Sequence, residues 1–152
     1  RESLFKRERH VIFGCEMELA FSPDPAQSRA KMESIMKERK EKQPLDQSSA
    51  GCAFKNVEYT NESEIELLLR EADVPDTMRE RKSLGAGWLV DQSGLLGQRV
   101  GDVEVSQKHG NFMINKGQAR AQDVIALISL VKRKVRDDFG IELHEEVQYV
   151  GF

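Results

Sequence analysis

The sequence predicts an α+β protein, in which helices and strands follow each other irregularly. Apolar and charged residues alternate from Val11 to Phe21, which is typical of a half-buried strand. From about Gln122 to Phe139 apolar residues recur every three or four positions, which is typical of an amphipathic helix. No regular strand–helix–strand repeat connects these segments, so a mixed fold is favoured over a doubly wound parallel sheet.

The composition excludes several classes of protein. A chain of 152 residues, 39% hydrophobic and 32% charged, is long enough to bury its own core. The net charge of −3 argues against nucleic acid as the main partner, because phosphate binding usually shows as a basic surplus. No stretch approaches the ~18 apolar residues of a membrane helix. We therefore expect a soluble, cytoplasmic protein that binds neither nucleic acid nor membrane.

The N-terminal third predicts a strand followed by a helix. Cys15 falls on the apolar face of the Val11–Phe21 strand, which favours a small buried hydrophobe. Ser22 and the prolines after it are typical of a helix start, and the helix is predicted over Ala26–Lys42. One face of this helix carries Met32, Ile35 and Met36.

The middle of the chain predicts a loop and two short helices. Residues 46–52 are small and polar, which indicates a loop. Asn61 and Glu64 have the spacing of a capping box before a short apolar stripe, and the charged segment Val74–Ser83 ends that helix. A second helix is predicted over Ala86–Gln92.

The C-terminal third predicts two strands, the long helix and a last strand. The strands are Arg99–Val105 and Asn111–Asn115, around the polar turn 106–110. Gly140 can end the helix that starts near Gln122. The alternating tail Ile141–Val150 is predicted to close the sheet.

The residues alone suggest chemistry without specifying it. Cys52 lies in the predicted loop, where Lys55 could favour its thiolate, but a loop cysteine can equally be incidental. His109 could titrate or bind phosphate, or could be an ordinary exposed turn histidine. Glu145 and Glu146 point to opposite faces of the predicted last strand, so one of them could line a cleft. Neither cysteine has the spacing of a metal site or of a disulfide framework.

Short segments spread along the chain carry a resemblance to one family. Arg1–Lys6 resembles Y-R-x-S-x-F-K without its tyrosine, and Gln43–Leu45 with Ser49–Asn56 resembles Q-P-L…S-A-G-S/C-x-F-K-N. Ala86–Gln92 with Gly97–Gly101 resembles A-G-W-L-I-D-Q…G-x-R-V-G. Val105–Asn115 resembles V-S-x-K-H-A-x-F-x-x-N, and Phe139–Val147 resembles F-G-x-x-L-x-x-E-V. All are motifs of the UDP-N-acetylenolpyruvoylglucosamine reductases of bacterial peptidoglycan synthesis, the MurB family.

The resemblance implies a flavin-dependent reduction. In the family, NADPH reduces FAD, and hydride then passes to the enolpyruvyl group of UDP-N-acetylglucosamine enolpyruvate to give UDP-N-acetylmuramate. The resemblance assigns the proton donor to Cys52, at a position more often occupied by serine. It assigns polarisation of the substrate carboxylate to Arg1, which also borders the cofactor, and to Glu146. Substrate contacts are assigned to Lys42, Asn56 and His109.

The resemblance covers only the C-terminal part of such an enzyme. It implies that residues 1–45 end an FAD-binding domain and that residues 46–152 form the substrate-binding α/β domain. Most of the FAD would then be held upstream, so the chain alone is expected to be inactive. The direct run from the first strand to the helix at 26–42 indicates the shorter subclass of the family. The charged stretch 58–85 is longer than in many relatives.

Three positions depart from the family pattern and leave other functions open. Val57 replaces a proline, Gly110 replaces an alanine, and Leu96 stands where some members use lysine. A non-catalytic binding or regulatory module of the same fold is therefore one alternative. A thiol enzyme that uses Cys52 and His109 is another, although it explains none of the other motifs.

Overall fold

The computed structural model describes residues 4–8, 10–21 and 23–151. The chain divides into two compact units, Arg1–Ile35 and Met36–Phe152. Arg1, the predicted catalytic and cofactor-binding residue, lies outside the described residues.

The first unit contains α1 (Leu4–Arg7) and most of α2 (Pro25–Lys42). Residues 10–21 have no regular secondary structure, so the predicted strand is wrong for this chain. Phe13 is 96% exposed and Phe21 92%, and Cys15 is exposed rather than buried. An alternating segment becomes a strand only when a neighbouring strand takes its backbone hydrogen bonds and a core covers its apolar face. Within the described part of the chain, residues 10–21 pair with no other strand.

The α2 helix confirms the prediction for residues 26–42 and begins one residue earlier. The Asp24 carboxylate accepts a hydrogen bond from the Gln27 backbone N–H at 3.0 Å, which satisfies one of the free amides of the first turn. No residue of α2 is buried, and the predicted apolar face is between 41% and 61% exposed at Met32, Ile35 and Met36.

The second unit is built on a four-stranded antiparallel sheet with the order β1–β6–β5–β4. The predicted pair of strands around the turn at 106–110 is confirmed as β5 (Val103–Val105) and β6 (Phe112–Asn115). The predicted strand Arg99–Val105 is not continuous, because the chain turns at Gly101 and Asp102 and its two halves, β4 (Arg99–Val100) and β5, form a hairpin with each other. The remaining strand is β1 (Ser49–Cys52).

The long helix α6 (Ala121–Phe139) confirms the strongest helical prediction. It packs against β4, β5 and α3 (Glu66–Glu71). Gly140 ends it in the left-handed conformation, with φ of 69°, which a residue with a Cβ adopts only at a cost. The buried face of α6 consists of Leu127, Ile128, Val131, Val135 and Phe139.

Helix α5 (Ala86–Gln92) has the predicted bounds. The predicted capping box is present as a hydrogen bond from the Asn61 backbone N–H to the Glu64 carboxylate at 3.0 Å, before a short 3₁₀ helix over Glu62–Ile65. The charged stretch after α3 contains an unpredicted helix, α4 (Asp76–Arg81). It ends in the strand β3 (Ser83–Leu84), which pairs with β2 (Val57–Glu58), a strand that precedes α3 in the chain.

Two further predictions were wrong in the second unit. Residues 49–52 form an edge strand rather than a loop, because β6 supplies hydrogen-bond partners that no local sequence signal shows. The tail 141–150 is not a strand, although Ile141 and Leu143 are buried; it makes one isolated bridge, between Glu145 and Phe54. Among the described helices, none is both long enough and apolar enough to cross a membrane.

Candidate functional site

Cys52 is the last residue of the edge strand β1. Its Cα lies opposite that of Phe112 on β6, so the two side chains share a face of the sheet. The pairing register shifts between Ser49 and Cys52, and Gly51 accommodates this bulge with a φ of +85°. The Cys52 side chain is partly exposed. The Cys52 thiol is therefore accessible at the end of a strand rather than in a loop.

The peptide groups of Ala53 connect Cys52 to Glu146. The Ala53 N–H donates a hydrogen bond to the Asn111 carbonyl at 2.8 Å, and the Ala53 carbonyl accepts one from the Glu146 N–H, also at 2.8 Å. Ala53 is 2% exposed, so these bonds are shielded from water. The structure thus places the predicted proton donor and the predicted carboxylate on two segments that are fastened together by one residue.

Asn111, which the sequence did not single out, holds the next residue, Phe54. Its side-chain oxygen accepts from the Phe54 N–H at 2.8 Å, and its side-chain NH₂ donates to the Phe54 carbonyl at 2.9 Å. Asn111 is 3% exposed. The sequence carried no signal for Asn111, because it stands at an unspecified position of the V-S-x-K-H-A-x-F-x-x-N motif and the burial of an asparagine becomes visible only in the fold.

His109 sits in the turn before β6 and is half-buried rather than exposed. The Ser106 hydroxyl accepts hydrogen bonds from the backbone N–H groups of Lys108 and His109, at 3.1 and 3.3 Å. The imidazole packs edge-on against Phe112, with ring centroids 5.1 Å apart. His109 therefore flanks the aromatic ring that lies opposite Cys52.

The His109 ring is held in one tautomer. Its Nδ1 accepts a hydrogen bond from the Asn111 backbone N–H at 3.2 Å, which leaves the hydrogen of the neutral ring on Nε2. Burial lowers the pKa of His109, because desolvation disfavours the imidazolium. At neutral pH the site therefore presents a neutral N–H donor rather than a cation.

Asn56 contacts the first residue of α5. Its side-chain oxygen accepts a hydrogen bond from the Ala86 N–H at 3.3 Å. A Cβ on Gly87 would lie 2.7 Å from Cε1 of His109, so only glycine lets the ring approach this closely. The first turn of α5 thus brings two predicted substrate contacts, Asn56 and His109, into one neighbourhood.

A shallow cavity of about 210 Å³ opens beside His109. Lys108 lies at its wall, and the Lys108 ammonium donates a 2.5 Å hydrogen bond to the Lys40 carbonyl near the end of α2. Leu96, one of the departures from the family pattern, is another lining residue. The remaining lining residues are Gly87, Trp88, Asp91 and Gly110.

Lys42, a predicted substrate contact, forms an ion pair within its own helix. Its ammonium forms a 2.6 Å ion pair with Glu38 one helical turn earlier, and 70% of its side chain is exposed. The hydrogen bond and the charge of Glu38 raise the pKa of Lys42. The backbone at the end of α2 is near the His109 turn through Lys40, but the Lys42 amino group pairs along its own helix.

The two adjacent glutamates differ in their partners. Both carboxylate oxygens of Glu145 accept hydrogen bonds from the Lys132 ammonium of α6 at 3.0 Å. Partial burial opposes ionisation of Glu145, but the Lys132 hydrogen bond and charge outweigh it, so its pKa lies below the ordinary value. Glu145 is thus held in an ion pair with α6, whereas Glu146 is the carboxylate that the family resemblance assigns to the site. Within residues 4–8, 10–21 and 23–151, no three metal-ligating side chains form a cluster.

The second unit is a mixed helix-and-sheet domain in which backbone hydrogen bonds join the segments of Cys52, Glu146 and His109 near the end of one edge strand. Residues 43–150 match the family model described as the C-terminal domain of UDP-N-acetylenolpyruvoylglucosamine reductase. The chain belongs to this family, as its motifs predicted.

Individual relatives support the same assignment. A UDP-N-acetylenolpyruvoylglucosamine reductase of Clostridium novyi is 36% identical over 99% of this chain and 41% of its own length. One from Solibacter usitatus is 38% identical, over 99% of this chain and 47% of its own length. A crystal structure of UDP-N-acetylenolpyruvylglucosamine reductase from Thermus caldophilus superposes with a TM-score of 0.52 at 36% identity, over 81% of this chain and 35% of that chain. The chain therefore spans less than half the length of these relatives, and the mixed α and β fold class is confirmed.

Proposed function

We propose that this chain is the C-terminal, substrate-binding part of an FAD- and NADPH-dependent reductase of peptidoglycan synthesis. The reaction is reduction of UDP-N-acetylglucosamine enolpyruvate to UDP-N-acetylmuramate. The observation that supports the proposal is the hydrogen bond from the Glu146 N–H to the Ala53 carbonyl, which holds the backbone segments of Cys52 and Glu146 next to each other. In this proposal residues 1–45 complete an FAD-binding domain and residues 46–152 form the substrate domain.

The proposed role of Cys52 is proton donation. When bound, the flavin supplies the hydride that reduces the enolpyruvyl double bond. The Cys52 thiol then gives its proton to the neighbouring carbon, and the thiolate is reprotonated from water. An ordinary thiol pKa of about 8.5 makes cysteine a much stronger acid than the serine more common at this position.

The proposed role of the other residues is to hold the substrate. Glu146, with Arg1, would orient and polarise the carboxyl end of the enolpyruvyl group. The Nε2–H of His109 and the side-chain amide of Asn56 would donate hydrogen bonds to the UDP-sugar at the cavity beside His109. Lys42 would take part only by exchanging its Glu38 partner for the substrate.

The proposal is tested on the flavin-bearing polypeptide, which is this chain together with the upstream FAD-binding domain that the proposal assigns to it. Its two half-reactions are the reduction of FAD by NADPH and the reoxidation of FAD by the enolpyruvyl substrate. In Cys52→Ala, reduction of FAD by NADPH should stay within twofold of wild type, while its reoxidation by the enolpyruvyl substrate should fall about 10²–10⁴-fold, the usual contribution of a general acid. Cys52→Ser should retain more activity than Cys52→Ala. Cys15→Ala is the matched control, since that cysteine is exposed in the first unit.

The outcomes separate the proposal from its alternatives. Reoxidation at the wild-type rate in Cys52→Ala would show that Cys52 is not the acid. If the complete polypeptide bound uridine diphosphate but did not bind FAD, the result would favour a non-catalytic binding module. Isothermal titration calorimetry of the 152-residue chain should show weak binding of uridine diphosphate, and the chain alone should show no turnover. No binding by a folded sample would count against the substrate-domain assignment.

A further inference from the structure

We propose that Asn111 is a positioning residue that sets the geometry of Cys52, Glu146 and His109 together. The inference rests on the proposed function, because it assigns to those three side chains the roles given above. It goes beyond that function by naming a buried residue which acts only through others.

The side chain of Asn111 takes the place of a strand where strand pairing stops. Pairing of β1 with β6 ends at Cys52 and Phe112, yet Phe54 is 1% exposed and needs partners for its backbone. The Asn111 amide supplies both, as an acceptor at 2.8 Å and a donor at 2.9 Å. A primary amide offers an acceptor and a donor side by side at every pH, whereas a carboxyl group does so only when it is protonated.

The main chain of Asn111 extends the hold in two directions. Its carbonyl accepts from the Ala53 N–H at 2.8 Å, and the Ala53 carbonyl in turn accepts from the Glu146 N–H. Its own N–H donates to Nδ1 of His109 at 3.2 Å. Asn111 is thus bonded directly to the segment that follows Cys52 and to the imidazole, and through Ala53 to Glu146.

A single substitution isolates the donor half of this contact. In Asn111→Asp an ionised carboxylate can still accept from the Phe54 N–H, but it repels the Phe54 carbonyl. Protonation restores an O–H donor, and burial raises the pKa of such an acid. Asn111→Asp should therefore resemble wild type at low pH and lose the positioning at high pH, which a residue that merely fills space would not do.

The first readout is alkylation of Cys52 by iodoacetamide in a Cys15→Ala background, which needs no flavin and no substrate. We expect the ratio of the Asn111→Asp rate to the wild-type rate to exceed threefold at pH 8 and to return within twofold near pH 5.5. Asn115→Asp is the matched control: Asn115 is exposed at the end of the same strand, where its oxygen accepts from Gly117 and Ala119. Its ratio should stay within twofold at both pH values.

The second readout is the reaction of the flavin-bearing polypeptide. Asn111→Asp at pH 8 should lower substrate-driven flavin reoxidation at least tenfold in kcat, with a smaller change in KM and unaltered reduction by NADPH. An alkylation ratio near one, or raised equally at both pH values, would overturn the proposal. If Asn111→Asp unfolds at pH 8, Asn111→Ser replaces it, and a wild-type alkylation rate in that variant would overturn the proposal too. Failure of the proposed function alone would appear as a wild-type protein without reductase activity, and the alkylation result would still decide the positioning role.

Discussion

The Glu146 N–H and the Ala53 carbonyl form a 2.8 Å hydrogen bond between a segment that continues from β1 and the C-terminal tail. The bond belongs to a short ladder, because the Lys55 N–H donates to the His144 carbonyl at 2.8 Å and Phe54 forms a bridge with Glu145. Successive residues of an extended segment point to opposite sides. The ladder therefore sends the side chains of two adjacent glutamates to opposite sides, and that of Glu145 contacts Lys132.

This separation predicts different effects for the same substitution at neighbouring positions. Glu146→Gln should lower substrate-driven flavin reoxidation at least tenfold, because it removes the charge proposed to orient the substrate. Glu145→Gln should change that rate less than twofold and cost under about 1 kcal/mol of unfolding free energy, as expected for a partly exposed ion pair. Stopped-flow absorbance and urea unfolding measure the two effects. Equal rate losses in both variants would contradict the assignment of Glu146.

The lowered pKa of His109 predicts a pH-dependent stability. The unfolded chain binds a proton at this histidine near the ordinary pKa of about 6.5, and the folded chain only at lower pH. The unfolding free energy should therefore fall as pH drops below about 6.5, until pH reaches the folded pKa. Urea unfolding between pH 7.5 and 5 should show a shallower fall in His109→Gln than in wild type. His144→Gln, at an exposed position, is the control, and an equal change of slope there would assign the effect elsewhere.

The sequence predicted the elements whose signal is local. Helix α6 carries a complete apolar stripe and a terminal glycine, and α5 lies between a small-residue start and Gly94, so both were located closely. Strand β1 could not be predicted, because Ser49 to Cys52 are poor strand formers that pair only through β6. The Val11–Phe21 segment failed in the opposite way, since its pattern is that of a strand but the described chain offers it no partner.

The site followed the same division. The family motifs identified Cys52, Asn56, His109 and Glu146 by residue type and order, whereas Asn111 depends on hydrogen bonds between segments distant in sequence. Lys42 shows the limit of a motif, because its position matches while its side chain pairs with Glu38. The roles of these residues, and the boundary at residue 45, stay predictions until the half-reactions are measured.

The close approach of α5 to the His109 turn predicts the effect of restoring the family's usual alanine at Gly110. A Cβ there would lie 2.6 Å from the Gly87 carbonyl oxygen and 3.1 Å from the Val90 Cβ, so backbone would have to move. Gly110→Ala should cost about 1–3 kcal/mol of unfolding free energy, the usual penalty of overpacking. It should also weaken binding of uridine diphosphate by displacing His109. Gly14→Ala is the control, since a Cβ there meets nothing within 4 Å; unchanged stability in Gly110→Ala would show that the two backbones separate freely.

Ser93 at the end of α5 predicts a stabilising substitution. The residue is 8% exposed, and among the described residues its hydroxyl oxygen is the buried side-chain atom that lacks a hydrogen-bond partner. A buried hydroxyl without a partner costs about 1–3 kcal/mol relative to its state in water. Ser93→Ala should therefore raise the unfolding free energy by about 1 kcal/mol in urea titrations and leave the affinity for uridine diphosphate within twofold of wild type. Ser129→Ala is the contrasting control, because the Ser129 hydroxyl already donates to the Ile125 carbonyl at 2.8 Å on the exposed face of α6 and its removal should not stabilise the chain. A loss of stability in Ser93→Ala would mean that the hydroxyl is satisfied by a bound water.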